Sequence, residues 1–237
     1  MKKIECCFSP KLLPLYDFTE SVVVVIDVFR ATSTIAAALD NGATKIIPVD
    51  NVEECIRIGK ETQNSLTAGE RNGKVVEGLQ YGNSPSAYPG DFVNEKILVL
   101  TTTNGTRLLH QVTEAAEILS GAFLNLSATV NYLKNQDRDI LLACASWKDR
   151  FNLEDSLFAG AVFQALGDAV TTNCDSMFAA SDLYDVAKDD LFAYLKKGSH
   201  YHRLAKYGLE ADLRYCCTLN QHDNVIRYEN NALVIAK

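Results

Sequence analysis

The sequence predicts an α/β fold of three layers, α/β/α, around a mostly parallel or mixed central sheet. Short β-branched runs alternate along the chain with helix-length segments, the order of a sheet covered by helices. Two of those runs, VVVVI at 22–26 and ILVL at 97–100, lack polar alternation, as strands buried on both faces do. The 237 residues are 47% hydrophobic and 22% charged. A chain of this size buries roughly 70 to 75% of its unfolded surface and needs no metal or disulfide staple. It reads as one domain, 1–237, with two intimately packed subdomains, 1–120 and 121–237, as the alternative.

Taken in order, strands are expected at 4–8, 22–26, 45–49, 97–100, 117–120 and 140–143, where apolar and β-branched residues cluster. Helices are expected at 34–41, 52–60, 106–114, 128–134 and 153–166. Between 66 and 94 the text turns rich in glycine, asparagine and proline. It reads as a long loop, and loops beyond ~12 to 15 residues in compact domains usually serve as flaps or parts of sites. From Ser181 the chain is polar and helical, and VIRYENNALVI near the end reads as a hairpin turned at 229–231.

The net charge of −7 argues against nucleic acid as a partner, since such proteins present a basic face. Seven cysteines form an odd set without a CxxC pair, which points to reduced thiols and a cytoplasmic protein. The opening MKKIECCFSP has no apolar core of a secretory signal. The apolar run that starts at Val22 stops at Asp27, far short of the ~20 residues that span a bilayer. No membrane partner is expected, and a homodimer is the prior for the assembly because symmetric dimers are common.

In open α/β sheets ligands bind beyond the carboxyl ends of strands, and three such loops are loaded with polar residues. The first, residues 22–35, delivers Asp27 and follows it with Arg30, Thr32, Ser33 and Thr34. A carboxylate there can hold a metal or attack phosphorus, and Arg30 can grip an oxyanion with two N–H groups. Thr32 and Ser33 fall at a helix start, where free N–H groups favour anions; capping plus an Asp27–Arg30 ion pair is the purely structural alternative. The second loop, residues 98–109, runs through Thr101, Thr102, Thr103, Asn104 and Gly105 into a helix. Glycine admits close approach of a phosphate to the backbone, and the GxxxxGK[ST] spacing of nucleotide loops is absent.

The third loop, residues 140–160, ends a strand near Cys144 and starts a helix around Asn152 with Glu154 and Asp155 in its first turn. Such acids complement the helix dipole. Facing a phosphate, they require a cation between, and magnesium is the hard, oxygen-seeking choice. Cys144 and Arg150 have the spacing of cysteine-dependent phosphatases, but the intervening Trp147, Lys148 and Asp149 are not compact; a buried strand-end thiol is the ordinary reading. Glu70 and Arg71 in GERNG, with Asn83 and Ser84 in YGNSP, serve either turns or a substrate. No histidine pair has the HExxH spacing, so a zinc hydrolase is not expected.

The motifs DVFRATST, GER, GNSP, TTTNGT, CAS followed by LED, and SH at 199–200 occur in the order found in the 2-phosphosulfolactate phosphatase family, which this chain resembles over roughly residues 22–217. The resemblance implies a ComB-like α/β fold, Mg2+ dependence, and hydrolysis of 2-phosphosulfolactate to 3-sulfolactate and phosphate, a step of coenzyme M biosynthesis in methanogens. It marks Asp27, Glu70 and Cys144 as catalytic candidates. Arg30, Thr32, Ser33, Arg71, Asn83, Ser84, Thr103, Asn104, Gly105 and His200 become candidates for holding a small anionic phosphorylated substrate, Arg71 by neutralising its sulfonate or carboxylate. Asp27, Glu154 and Asp155 are the expected metal ligands. The chain departs from the family's usual glycine at Ser146. A non-catalytic receptor for anionic metabolites is the rival reading, disfavoured because such a receptor gains nothing from three nearby acids.

Overall fold

The computed structural model describes residues 1–71 and 73–236. Its elements in chain order are β1 (Lys2–Cys7), β2 (Val22–Ile26), α1 (Ala31–Asp40), β3 (Lys45–Pro48), α2 (Val52–Glu61), β4 (Ser65–Arg71) and β5 (Lys74–Val75). There follow α3 (Gly90–Val93), β6 (Ile97–Thr101), α4 (Gly105–Gln111), β7 (Glu117–Gly121), α5 (Leu126–Lys134), β8 (Ile140–Cys144) and α6 (Leu153–Leu166). The chain closes with β9 (Val170–Thr171), α7 (Asp175–Ala187), α8 (Leu191–Leu195), α9 (Ser199–Ala205), α10 (Glu210–Cys216), β10 (Ile226–Glu229) and β11 (Ala232–Ile235).

The fold is three-layered α/β. Alternation within β2 shows it: Val22, Val24 and Ile26 join the core that α6 and α7 cover, while Val23 and Val25 join the core around α1 and α4. Leu142 and Cys144 of β8 face the first core and Leu141 and Ala143 the second, which is why these runs are apolar throughout.

The expected strands and helices up to residue 166 are present. One reading needs correction, because the stretch expected to be loop from 66 opens with strand β4, paired in parallel with β6 from Ser65↔Ile97 to Gly69↔Thr101. Only Leu66, Ala68 and Gly69 of it are buried, so its apolar pattern is faint and the neighbouring strand supplies the partner that makes it β. The C-terminal hairpin turns at Asn230 and Asn231, both with positive φ (51 and 61°), the two-residue geometry that asparagine tolerates.

Among the described residues the sheet runs β5-β4-β6-β3-β11-β10-β7-β2-β8-β1-β9. Strands β7, β2, β8, β1 and β9 form one parallel block and β3, β6 and β4 another. The hairpin β10–β11 joins them through three antiparallel pairings, so the blocks run in opposite directions. A flat sheet would leave their carboxyl ends on opposite edges. At ~20 to 25° of twist per strand, the five steps from β2 to β6 turn the sheet by about 100 to 125°, and the ends meet. A Cβ on Gly105, at the end of the β6–α4 loop, would stand 2.8 Å from Asp27 Oδ2 and 2.8 Å from Ala31 Cβ. Helix α1 lies inside this curl, buried from Ala31 through Leu39, and its alanines, serine and threonines are small enough for close approach.

The opposite face depends on another close approach. A Cβ on Gly160 of α6 would sit 2.1 Å from the carbonyl oxygen of Ala180 in α7. Gly160→Ala is therefore expected to lower stability by about 2 to 3 kcal/mol through overpacking. Thermal denaturation followed by circular dichroism should show a Tm lowered by roughly 5 to 10 °C.

Candidate active site

A cavity of about 200 Å³ opens where the two blocks converge. The β2–α1 loop contributes Asp27, Phe29 and Arg30, β4 contributes Glu70, and the β6–α4 loop contributes Thr102, Thr103 and Asn104. Asn83, Trp147 and three residues of the α9 region, His200, Arg203 and Lys206, complete the wall relevant to chemistry.

Asp27 is the buried acid of the cavity. Burial pushes its carboxyl up to about 7; the charge of His200 pulls the other way, and Glu70 and Glu154 push further upward. Behind it, Glu154 Oε1 meets His200 Nδ1 at 2.5 Å, which leaves Nε2 as the ring nitrogen available to the cavity. Asp155 holds the scaffold: Val28 N–H donates to its Oδ1 at 2.9 Å and Ser146 N–H to its Oδ2 at 3.2 Å. Burial, Glu154 and Asp27 raise its carboxyl well above the usual range. The expected metal trio is thus close enough to interact electrostatically. Only Asp27 faces the cavity, because Glu154 and Asp155 turn to the imidazole and to backbone N–H groups. Among the described residues no three acidic, histidine or cysteine side chains converge as a metal cage.

The opposite wall is built from paired groups. Buried Arg30 donates through Nη1 to Asp212 Oδ2 at 2.7 Å, and Asp212 Oδ1 accepts from Ser84 Oγ at 2.8 Å and Ser86 Oγ at 2.7 Å. Ser84 thereby positions Arg30 through Asp212 and does not line the cavity. Neighbouring Asn83 does, with its Oδ1 buried and without a hydrogen-bond partner. Glu70 accepts from Thr103 Oγ1 at 2.8 Å and from Gly73 N–H at 2.8 Å, holding the tip of β4 against the β6–α4 loop.

Several sequence candidates lie outside the cavity. Thr32 Oγ1 accepts from Asp27 N–H at 3.2 Å, and Ser33 Oγ donates to the Val28 carbonyl at 2.9 Å; both hydroxyls shape the loop. Gly105 serves by lacking a side chain beside Asp27. Arg71 bonds the Glu70 carbonyl and Thr101 Oγ1 and lines a separate pocket with Arg107 and His110. Cys144 is in the core on the α6 face, a free thiol that its hydrogen bond to the Cys6 thiol and its burial raise well above the usual range. Nor does the chain after it wrap an anion. Trp147 and Arg150 exchange backbone hydrogen bonds of 3.0 Å across Lys148 and Asp149, both with positive φ (50 and 63°), a tight hairpin turn that presents Trp147 to the cavity. Ser146 also has positive φ, 57°, a conformation glycine adopts more easily.

Sequence reasoning missed Asp212, Trp147 and Arg203. Asp212 belongs to a helix remote in sequence from Arg30, and no local spacing announces the pair.

Comparison with known proteins places the chain in a family. A model of the 2-phosphosulpholactate phosphatase family matches residues 7–231. The chain belongs to that family. Curated relatives named probable 2-phosphosulfolactate phosphatase include one from Thermotoga petrophila, 41% identical with 90% of this chain and 91% of the relative covered. Another, from Caldanaerobacter subterraneus subsp. tengcongensis, is 39% identical with 90% of each covered, and one from Clostridium perfringens strain SM101 is 31% identical over 98% of this chain and 95% of its own. As a member of the 2-phosphosulfolactate phosphatase family the chain is a phosphoric monoester hydrolase, an activity that implies a small phosphorylated substrate.

The raised Asp27 carboxyl makes a testable statement about stability. With its folded value near 7, against the ordinary 3.8, the folded protein binds this proton more tightly than the unfolded chain does. That stabilisation is fully present below about pH 4 and is lost as pH rises through 7. Asp27→Asn should therefore raise the Tm by roughly 5 °C at pH 8.5 in EDTA and leave it nearly unchanged at pH 4. A variant destabilised at pH 8.5 would contradict the buried, uncompensated carboxylate.

Proposed function

We propose that the chain is a Mg2+-dependent, cytoplasmic phosphatase that hydrolyses 2-phosphosulfolactate to 3-sulfolactate and phosphate. The observation that supports it most is the meeting of buried Asp27 with Arg30, the unpartnered Asn83 Oδ1 and the Thr103–Asn104 loop in one cavity. The relatives' names supply the substrate.

The residues suit magnesium. Mg2+ keeps several waters and is commonly held by one or two carboxylates plus substrate phosphate oxygens, so a closed protein cage is not required. Asp27 would supply the carboxylate and Asn83 Oδ1 a neutral oxygen donor. When bound, the ion would neutralise phosphoryl charge and help activate water.

The remaining steps belong to the chain. Arg30, fixed by Asp212, and Asn104 of the β6–α4 loop orient the phosphoryl oxygens, the positioning on which phosphoryl transfer depends, while the N–H groups of Thr102 and Thr103 in that loop donate to Thr106 Oγ1 and Glu70 Oε1. Water adds to phosphorus, the ester P–O bond breaks, and the departing alkoxide takes a proton. His200 Nε2, with the ring held by Glu154, is the group in place to move that proton. Glu70 keeps the β6–α4 loop against β4.

Phosphate release from 2-phosphosulfolactate should be abolished by EDTA and restored by Mg2+. Asp27→Asn should lower kcat/KM by about 10³-fold or more, and His200→Gln by about 10²-fold or more. Turnover untouched by EDTA and by Asp27→Asn would remove the metal-centred reading.

A further inference from the structure

We propose that Arg203, stacked on Trp147, is the specificity-determining residue that binds the second acidic group of the substrate, the carboxylate or sulfonate that accompanies the phosphate. The proposal rests on the phosphatase reading of the same cavity. It assigns to α9 the task expected of Arg71, which the fold places in the neighbouring pocket.

The Arg203 guanidinium carbon lies 3.7 Å from the centre of the Trp147 ring. The indole covers one face of the fork and leaves its in-plane N–H edge free for a planar acid. Nη2 is buried without a hydrogen-bond partner, and the side-chain bond made by the group is a long one, Nη1 to Ser199 Oγ at 3.5 Å. Arg30, Arg57, Arg107 and Arg227 each contact a carboxylate. Arg203 forms no ion pair of this kind among the described residues, although it lines the cavity that holds Asp27. A partly desolvated guanidinium with an unused donor is stabilised by the arrival of an anion. Lys206 lines the same side and adds a second positive charge.

The cavity thus has two anion-binding ends. The phosphoryl end is made by the loops after β2 and β6. The other is made by α9 and the hairpin turn after β8, which holds Trp147 under the guanidinium. A phosphomonoester lacking a second acid leaves Arg203 unpaired and loses that contribution.

The test compares wild type, Arg203→Gln and Arg203→Lys on 2-phosphosulfolactate, 2-phospholactate and isopropyl phosphate, with product binding measured separately by calorimetry using 3-sulfolactate. For Arg203→Gln the ratio of kcat/KM between 2-phosphosulfolactate and isopropyl phosphate should fall about 30 to 100-fold, mainly through KM. Arg203→Lys, which keeps the charge and loses the fork, should fall in between. If the ratio for 2-phospholactate falls equally, the carboxylate is the group bound; if it does not fall, the sulfonate is. An equal loss on all three esters, or no loss, overturns the proposal. The calorimetric arm separates it from the phosphatase reading. If the wild type releases phosphate from none of the esters, that reading fails, and the proposal then stands or falls on whether Arg203→Gln weakens 3-sulfolactate binding at least 30-fold.

Discussion

The site hangs from one buried carboxylate that does not face it. Asp155, in the first turn of α6, takes the N–H of Val28 on one oxygen and the N–H of Ser146 on the other. Those two amides belong to the loops after β2 and β8, adjacent strands in register from Val22↔Ile140 to Ile26↔Cys144. Without this acceptor, two amides at the buried strand ends would lack a partner, a cost that folded proteins avoid. With it, the first loop aims Asp27 and the second presents Trp147. One interaction therefore fixes the floor and one side of the same cavity.

A second tie works from the far end of the chain. Asp212 of α10 accepts from Arg30, Ser84 and Ser86 together, joining the β2–α1 loop to the segment after β5. Because Asp212 offsets its charge, Arg30 contributes geometry more than net attraction. Of the lysines and arginines that line the cavity, Arg203 and Lys206 have no such carboxylate partner among the described residues. In a chain of net charge −7, a highly anionic ligand meets an unfavourable overall field, and cations lining a cavity oppose that field locally. At Asp27 the field has the other sign: burial first, and then the neighbouring Glu70 and Glu154, raise its carboxyl to about 7.

Much of this was legible in the residues. VVVVI followed by Asp27 and Arg30 announced a buried strand delivering charge, and the structure has β2 buried throughout with both residues at the cavity. The Thr101–Gly105 run announced a loop open to close approach, and it packs directly against Asp27. The helix start at Asn152 with two acids was legible as well, although their direction was not: one turns to His200 and the other to two amides. Hydroxyls were over-read. Thr32 and Ser33 look in sequence like anion donors but spend themselves on the loop they belong to, since a short side chain near its own backbone finds a partner there first. The Cys144–Arg150 spacing, set aside in the sequence for its bulky intervening residues, forms no anion loop, because the turn geometry between them, and not their separation, decides whether N–H groups converge.

The sequence by itself determined the local order: which runs are strands buried on two faces, where helices begin, and which loops carry acids and arginine. These follow from side-chain periodicity and short-range hydrogen bonding, which act between near neighbours. Only the tertiary structure decided that two parallel blocks of opposite direction are joined by the C-terminal hairpin, and that accumulated twist brings their carboxyl ends together around α1. It alone set Asp212 against Arg30 and Arg203 against Trp147. Such pairings join segments far apart along the chain, and their geometry is set by twist and packing summed over many residues, which no short window of sequence contains.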